Sequence, residues 1–204
     1  MSIWAIVPAK PFREAKSRLA SALTPSERET LSRTFLIDTL EILKQVHEIQ
    51  RTLVVSRDPA ALRLARERGA FTVAESGAPE LNTALARATD VAAHFGSHAV
   101  LILPSDLPML QPVEVRALIA LCGERECVAI APDWRRQGTN ALFVRPPRRV
   151  PFAFGPGSFD RHMALARDKS VPVEICDLPG FGIDIDLPED LEMFRAKLHD
   201  WRGA

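Results

Sequence analysis

The sequence has few cysteines and no long apolar run. Its three cysteines, Cys122, Cys127 and Cys176, are too few and too irregularly spaced for a disulfide framework or a four-ligand zinc site. No apolar run approaches the roughly 18 residues that a membrane-spanning helix needs. The start of the chain, MSIWAIVPAKPF, has no basic segment followed by a long apolar one, so we expect no signal peptide. These absences predict a cytoplasmic protein without a membrane partner.

The chain also lacks net charge, because Lys and Arg total 26 and Asp and Glu total 26. This balance argues against broad attraction to nucleic acid or to an anionic membrane, although a local basic pocket is compatible with it. A chain of 204 residues is long enough to bury a proper core. Because it contains no repeat, low-complexity segment or linker, we expect a single domain over residues 1–204.

Several well-known catalytic motifs are missing too. There is no G-x-x-x-x-G-K-[ST] phosphate loop and no nucleophile elbow. The five histidines form no metal-binding spacing such as H-E-x-x-H, so each is expected to be structural or exposed to solvent. No cysteine has a local activating context. The remaining candidates for functional groups are therefore acidic side chains, cationic side chains and glycine-rich turns.

Short apolar runs alternate with helical segments along the chain. Thr24, Pro25 and Glu27 form a capping-box pattern that predicts a helix to about Val46. The predicted strands are IWAIVP (3–8), TLVVS (52–56), AFTVA (70–74), HAVLILP (98–104), CVAIAP (127–132), NALFVRP (140–146) and VPVEICDL (171–178). This alternation predicts an α/β fold with a mainly parallel sheet and helices on both faces. CVAIAP and NALFVRP lie close enough in sequence to be neighbours in that sheet.

Four carboxylates are concentrated in the segment FGIDIDLPEDL. On a strand, Asp184 and Asp186 would point to one face, and their charges would repel each other unless a cation or hydrogen-bond donors compensated them. We therefore take this pair as candidate metal ligands. Glu189 and Asp190 fall in the first turn of the closing helix, where carboxylates interact favourably with the helix dipole, so their predicted role is structural.

Asp106 follows the most hydrophobic predicted strand, in the segment LILPSDLPML. Ligands of open parallel sheets bind beyond the carboxyl ends of the strands, so this acid is placed at the usual functional edge. Magnesium prefers oxygen ligands and often takes only one or two carboxylates from the protein. The alternative is that Asp106 makes a turn with Pro108.

Three further segments contain groups that suit an anionic ligand. The loop PAKPFREAKSRLA carries cations that suit a triphosphate, or that are simply solvated: Lys10, Arg13, Lys16 and Arg18. In GPGSF, glycines and a serine precede a predicted helix, and free N–H groups at such a turn form an anion site. The alternative there is a plain N-cap by Ser158. QGTN offers donors from Gly138, Thr139 and Asn140, or makes a turn before a strand.

Taken in order along the chain, these segments resemble one enzyme family, the 2-phospho-L-lactate guanylyltransferases, which includes phosphoenolpyruvate and 3-phosphoglycerate variants. The matching segments are VPAKPFREAKSRLA, LNTALARA, LPSDLPML, GTNALFVRP, FGPGSFDRHMALA and GIDIDLPEDL. The resemblance implies a single-domain nucleotidyltransferase fold of the GT-A, Rossmann-like type with a mixed, mainly parallel sheet. It implies transfer of GMP from GTP to the phosphate of a small phospho-acid, with release of pyrophosphate, in coenzyme F420 biosynthesis.

The same resemblance implies a role for individual residues. Asp106, Asp184 and Asp186 would hold Mg²⁺. The implied nucleotide-binding residues are Pro8, Ala9, Lys10, Lys16, Arg18, Asn82 and Ser105, and Lys10, Lys16 and Asp106 are implied to be catalytic. The implied acceptor-binding residues are Thr139, Asn140, Gly155, Gly157 and Ser158. The implied partners are GTP, the phosphorylated acid and a downstream transferase of the F420 pathway. The sequence does not define the oligomeric state, for which a homodimer is one hypothesis.

Two positions depart from the family pattern, and several alternatives stay open. Members commonly have G-x-G-T-N where this chain has RRQGTN, and many have glycine where this chain has Glu80. The acceptor acid is not defined by these motifs. A related nucleotidyltransferase that acts on molybdopterin or a sugar phosphate, and a non-catalytic nucleotide-binding domain, are the alternative functions.

Overall fold

The apolar segments of the chain pair into one sheet in the computed structural model, which describes residues 2–77 and 79–202. The strands in these ranges are β1 (Ile3–Pro8), β2 (Ile49–Ser56), β3 (Phe71–Ala74), β4 (Ala99–Ile102), β5 (Cys127–Pro132), β6 (Thr139–Arg145) and β7 (Val173–Ile175). Their order across the sheet is β3-β2-β1-β4-β6-β5-β7.

The helices cover both faces of this sheet. In the same ranges they are α1 (Pro25–Lys44), α2 (Pro59–Glu67), α3 (Leu81–His94), α4 (Pro112–Cys122), α5 (Ser158–Asp168), α6 (Pro179–Gly182) and α7 (Pro188–Arg202). A short 3-10 turn, Ser17–Leu19, lies between β1 and α1. None of the helices described is long and apolar enough to cross a membrane.

β1 lies at the centre of the parallel part of the sheet. It pairs in parallel with β2 on one side and β4 on the other, and β3 continues the parallel part beyond β2. β6 runs antiparallel to both β4 and β5, while β7 is parallel to β5. The prediction of a mixed, mainly parallel sheet is confirmed, as is the pairing of CVAIAP with NALFVRP.

Alternate side chains of β1 enter two separate hydrophobic layers. Ile3, Ala5 and Val7 pack on one face with buried residues of α1, α2 and α4. Trp4 and Ile6 pack on the other face with residues of α3 and α5. Because successive strand residues point to opposite faces, a strand covered on both sides must be apolar throughout. The predicted α/β arrangement is therefore confirmed.

The capping signals place the start of α1 correctly. Thr24 Oγ1 accepts a hydrogen bond from Glu27 N, and the Glu27 carboxylate accepts one from Thr24 N, which completes the predicted capping box. Asp58 caps α2 in the same way, with Oδ1 accepting from Ala60 N at 2.8 Å. The first helix ends at Lys44 rather than near Val46.

The cysteines form one local bond rather than a framework. Cys122 at the end of α4 and Cys127 at the start of β5 are joined by a disulfide across five positions of sequence. Cys176 is free and buried, and burial raises the pKa of its thiol to about 11. This pattern agrees with the absence of a disulfide framework, although the local bond itself is not predicted from the spacing.

The prediction that Asp184 and Asp186 lie on a strand is wrong. The segment between α6 and α7 lies outside the sheet, because its neighbour is the loop after β4, where Ile185 N donates to Asp106 O at 3.2 Å. The predicted alternation of faces nevertheless holds. Ile183 and Ile185 are buried in a small cluster with Leu19, Phe35 and Leu191, while the two aspartates lie on the other side.

Glu114 holds the short helix α6 against α4. Its Oε1 accepts a hydrogen bond from Gly180 N at 2.8 Å, and its Oε2 accepts one from Gln111 N at 2.9 Å. A Cβ atom on Gly180 would lie 1.8 Å from Glu114 Oε2, so only glycine leaves room for this contact. Because Asp184 lies only two residues beyond the end of α6, the contact also restricts the position of that aspartate.

We predict that Gly180→Ala lowers the free energy of unfolding by about 1–3 kcal/mol, because the added methyl group displaces the Glu114 carboxylate from two backbone donors. Urea denaturation measures the effect. Gly182→Ala is the matched control, since the nearest atom to a Cβ there is 3.9 Å away. Equal stability of the two variants would show that the Glu114 contact does not anchor α6.

Candidate active site

A cavity of about 510 Å³ opens where β1 and β4 end. The residues predicted from sequence that line it are Pro8, Ala9, Lys10, Lys16, Ser105, Asp106, Thr139, Asn140, Asp184 and Asp186. This is the carboxyl edge of the parallel strands, where ligands of open α/β sheets bind. The fold therefore brings most of the predicted nucleotide-binding and metal-binding residues into one space.

Three carboxylates form the centre of this cavity. Asp106, Asp184 and Asp186 each offer an oxygen atom, and these atoms lie within 4.8 Å of one another. Asp106 comes from the loop after β4, whereas the other two come from the segment before α7, so the chain must fold fully to bring them together. Hard oxygen donors in such a cluster are the ligands that magnesium prefers.

Lys16 lies directly against two of these carboxylates. Its Nζ is 2.5 Å from Asp106 Oδ2 and 2.9 Å from Asp186 Oδ1. The side chain is only 8% exposed, and the residue has a positive φ of 57° immediately before the 3-10 turn. A left-handed backbone at a lysine is uncommon and costs free energy. The loop after β1 therefore holds Lys16 in an unfavourable conformation that directs its ammonium into the acid cluster.

The carboxylates of the cluster differ in their affinity for protons. Burial, followed by the charges of Asp106 and Asp186, raises the pKa of Asp184 to about 6. Burial acts on Asp186 in the same direction, but Lys16, Lys10 and Arg18 outweigh it, so its pKa lies below the usual value. The pKa of Lys16 is raised, because its two carboxylate partners outweigh the effect of burial. Three acids facing one buried ammonium leave negative charge for a further cation.

The remaining predicted cations lie farther out. Lys10 lines the cavity and is exposed. The Arg18 side chain is 70% exposed and lies 3.8 Å from Asp186 at the rim. Arg13 points away, with a side chain 91% exposed beside Glu29. Lys10, Lys16 and Arg18 thus place positive charge on one side of the acid cluster.

Asn140 orients Asp184 through its side-chain amide nitrogen, which donates two hydrogen bonds. Its Nδ2 donates to Phe181 O at 2.7 Å and to Asp184 Oδ1 at 3.3 Å. The residue is buried at the start of β6. Asp190 acts similarly on the other aspartate, because its Oδ2 accepts from Asp186 N and Leu187 N. The predicted structural role of Asp190 is confirmed.

The glycine-rich turn lies beside the cavity rather than in its lining. Gly157, with a φ of 69°, is the N-cap of α5, and Ser158 is the first helical residue, so the alternative of an N-cap by Ser158 is wrong. Ser158 is buried and its N donates to Gly155 O at 3.0 Å. Of the predicted acceptor-binding residues, the structure brings only Thr139 and Asn140 into the cavity wall.

Asn82 holds the loop before that turn. Its Oδ1 accepts from Phe154 N at 2.7 Å, and its Nδ2 donates to Phe154 O at 3.3 Å. The amide oxygen and the amide nitrogen of Asn82 therefore both bond to the backbone of Phe154, which is 72 positions away in sequence. Glu80, by contrast, lines the cavity and caps α3 by accepting from Asn82 N and Thr83 N. The structure thus places Glu80, rather than Asn82, against the cavity.

Sequence reasoning missed His162, which is buried on α5 and lies against Thr139. The histidines have no ligand spacing, so no local signal distinguishes this one from the other four. Its helical position one turn after the glycine-rich segment is the only pattern that connects it with the predicted acceptor residues.

The fold is the one that solved nucleotidyltransferases share. A solved nucleotidyl transferase from Methanothermobacter thermautotrophicus superposes with a TM-score of 0.70 at 16% identity, over 99% of each chain. The chain belongs to the family described as "Guanylyl transferase CofC like", whose model matches residues 3–199. This assignment confirms the resemblance found in the sequence motifs.

Curated relatives carry two related names. A phosphoenolpyruvate guanylyltransferase from Rubrobacter xylanophilus is 43% identical over 196 residues, which cover 96% of this chain and 95% of the relative. A 2-phospho-L-lactate guanylyltransferase from Methanothermobacter thermautotrophicus is 35% identical over 191 residues, which cover 94% of this chain.

Lys16→Met should destabilise the metal-free protein by about 1–3 kcal/mol, because Asp106 and Asp186 lose the ammonium that neutralises them. Urea unfolding in EDTA measures the loss. Arg18→Met is the control and should stay within about 0.5 kcal/mol of the wild type, since Arg18 is exposed at the rim. A Lys16 variant as stable as the Arg18 variant would contradict this account of the cluster.

Asp184→Asn should have the opposite effect in EDTA, because it removes one of three carboxylates that repel one another. We expect the Tm to rise by about 2–4 °C, the shift that 1 kcal/mol produces in a chain of this length. Added Mg²⁺ should raise the Tm of the wild type and leave that of the variant unchanged. A variant that is destabilised in EDTA would contradict the repulsion between the carboxylates. A variant that Mg²⁺ stabilises as strongly as the wild type would exclude Asp184 as a metal ligand.

Proposed function

We propose that this protein is a Mg²⁺-dependent guanylyltransferase of coenzyme F420 biosynthesis. It transfers GMP from GTP to the phosphate of a small phosphorylated carboxylic acid and releases pyrophosphate. The observation that carries the proposal is the cluster of Asp106, Asp184 and Asp186, with Lys16 bound to two of them, at the carboxyl edge of the sheet. Membership of the guanylyl transferase family supports GTP as the donor.

Phosphoenolpyruvate is the acceptor that we propose. The name phosphoenolpyruvate guanylyltransferase belongs to relatives at 43% and 40% identity, whereas a 2-phospho-L-lactate enzyme is 35% identical. Both acids present a phosphate and a carboxylate, so the same wall of the cavity would bind either one. Discrimination between them depends on small differences in shape, which pocket contacts can recognise.

The reaction needs no nucleophilic side chain. An oxygen of the acceptor phosphate attacks the α-phosphorus of GTP, a new P–O bond forms, and the bond from the α-phosphorus to the β,γ-pyrophosphate breaks. Because the attacking phosphate is already ionised, no general base is required, and the contribution of the protein is positioning and charge neutralisation. This fits a site made of carboxylates, ammonium groups and backbone donors.

The three aspartates are the residues that would hold Mg²⁺, and their oxygen donors and excess negative charge suit it. When bound, the metal supplies neutralisation of phosphate charge. Lys10, Lys16 and Arg18 bind the triphosphate in this proposal, and Lys16 exchanges its carboxylate partners for phosphate oxygens when nucleotide enters. Pro8, Ala9 and Ser105 line the same cavity and bound the nucleotide.

Other expectations from the sequence stay predictions. These are a cytoplasmic location, a single domain over residues 1–204, a homodimer and a downstream F420-pathway transferase as partner. Thr139, Gly155, Gly157 and Ser158 are retained as the proposed acceptor side, with Asn140 acting there through Asp184. Asn82 is retained as a proposed nucleotide-binding residue, and its amide holds the backbone of Phe154.

We expect the purified protein to release pyrophosphate with GTP and phosphoenolpyruvate, and to be much slower with ATP, CTP or UTP. Mass spectrometry of the products with phosphoenolpyruvate, 2-phospho-L-lactate and 3-phosphoglycerate identifies the acceptor. Asp106→Asn should lower turnover by at least about 100-fold, as loss of a transition-state electrostatic contact does.

Asp168→Asn is the control for this substitution, because Asp168 is exposed at the end of α5, away from the cavity. It should leave turnover unchanged. Near-normal turnover by Asp106→Asn would exclude the metal assignment. A preference for another nucleotide, or no product with any of the three acids, would contradict the proposed function.

A further inference from the structure

Both ring nitrogens of His162 have partners within the protein. Nε2 lies 3.0 Å from Ala153 N, and Nδ1 lies 2.9 Å from Thr139 Oγ1. The residue is 1% exposed, and its ring packs edge-on against Phe154 at a centroid distance of 4.9 Å. The imidazole thus bridges the loop before the glycine-rich turn and the first residue of β6.

The two contacts determine which nitrogen carries the proton. A backbone N–H only donates, so Nε2 must accept from Ala153. The neutral imidazole has a single proton, which must then be on Nδ1. Burial, followed by the charge of Arg161, lowers the pKa of His162 to about 4, which keeps the ring neutral at ordinary pH. The Nδ1–H group therefore donates to Thr139 Oγ1.

This arrangement determines the role of the Thr139 hydroxyl. A hydroxyl has one proton and two lone pairs, and His162 occupies one of the lone pairs. The proton of Thr139 is left to donate elsewhere. Thr139 lines the cavity and precedes Asn140, whose amide holds Asp184. Thr139 is buried but belongs to the cavity wall, so its hydroxyl is the group there that an anionic ligand would meet as a donor.

We propose that His162 is a positioning residue that makes Thr139 a hydrogen-bond donor to an anionic oxygen of the phospho-acid acceptor. The inference rests on the proposed function for the identity of that acceptor. A purely structural role for His162, holding the loop through Ala153, is the competing explanation. Asn82 already holds the adjacent residue Phe154 with two hydrogen bonds, so the loop has an independent support.

Two variants separate the two contacts of the ring. His162→Gln extends an amide oxygen toward the position of Nε2, where it can accept from Ala153, and it loses the donor to Thr139. His162→Asn places an amide N–H near the position of Nδ1 and loses the contact with Ala153. We expect His162→Gln to raise the KM for the acceptor about 10-fold or more, as loss of one charge-assisted hydrogen bond does. The KM for GTP should change less than about two-fold, and His162→Asn should have the smaller effect on the acceptor.

A double-mutant cycle with Thr139 tests whether His162 acts through that residue. Thr139→Val should raise the acceptor KM, and adding His162→Gln should cause no further increase, because the hydroxyl is already gone. Thr139→Ser, which keeps the hydroxyl, should restore most of the affinity. Additive effects, equal changes in both KM values, or a larger loss with His162→Asn would overturn the inference.

An NMR measurement keeps the inference separate from the proposed activity. The ¹⁵N shifts of the His162 imidazole in the wild-type protein report its tautomer without any turnover. We expect a proton on Nδ1, and a proton on Nε2 would overturn the inference whatever the enzyme does. The proposed function can also fail while the tautomer is as expected. That outcome is shown if none of the three acids accepts GMP and none of them binds to the protein by calorimetry. The ligand of Thr139 would then not be a phospho-acid acceptor.

Discussion

The ion pairs of Lys16 with Asp106 and Asp186 are the interaction on which this site depends. They join parts of the chain 90 and 170 positions apart in sequence, and they form only because the sheet places β1 beside β4. An ammonium with 8% exposure would be too costly to bury without these partners. The same carboxylates would repel one another without a cation. Each group therefore requires the others.

Polar contacts around the acid cluster fix the positions of its aspartates. Glu114 fixes α6, Asn140 connects Phe181 with Asp184, and Asp190 caps the segment at Asp186. Beneath them, Ile183 and Ile185 are buried in an apolar cluster that anchors the segment from the other side. The aspartates are thus held by a hydrophobic layer below and hydrogen bonds at each end, although no sheet ladder supports them.

Local patterns in the sequence predict much of this fold, because strands, capping boxes and alternating faces are encoded by neighbouring residues. The capping box at Thr24 and the shared face of Asp184 and Asp186 are of this kind. Contacts between distant segments are not encoded in that way. The bonds from Asn82 to Phe154 and from His162 to Thr139, like the position of Asp184 outside the sheet, depend on packing that only the folded chain shows.

The central claim is that the acid cluster supports transfer of a guanylyl group to a phospho-acid. The most direct measurement follows the label of GTP carrying ³²P in the α-phosphate, in the presence of Mg²⁺ and phosphoenolpyruvate. The account predicts that the label moves into a guanylated acid while unlabelled pyrophosphate is released, and that EDTA abolishes this transfer. Label that stays in GTP, or that appears only in GMP or GDP, would contradict the account.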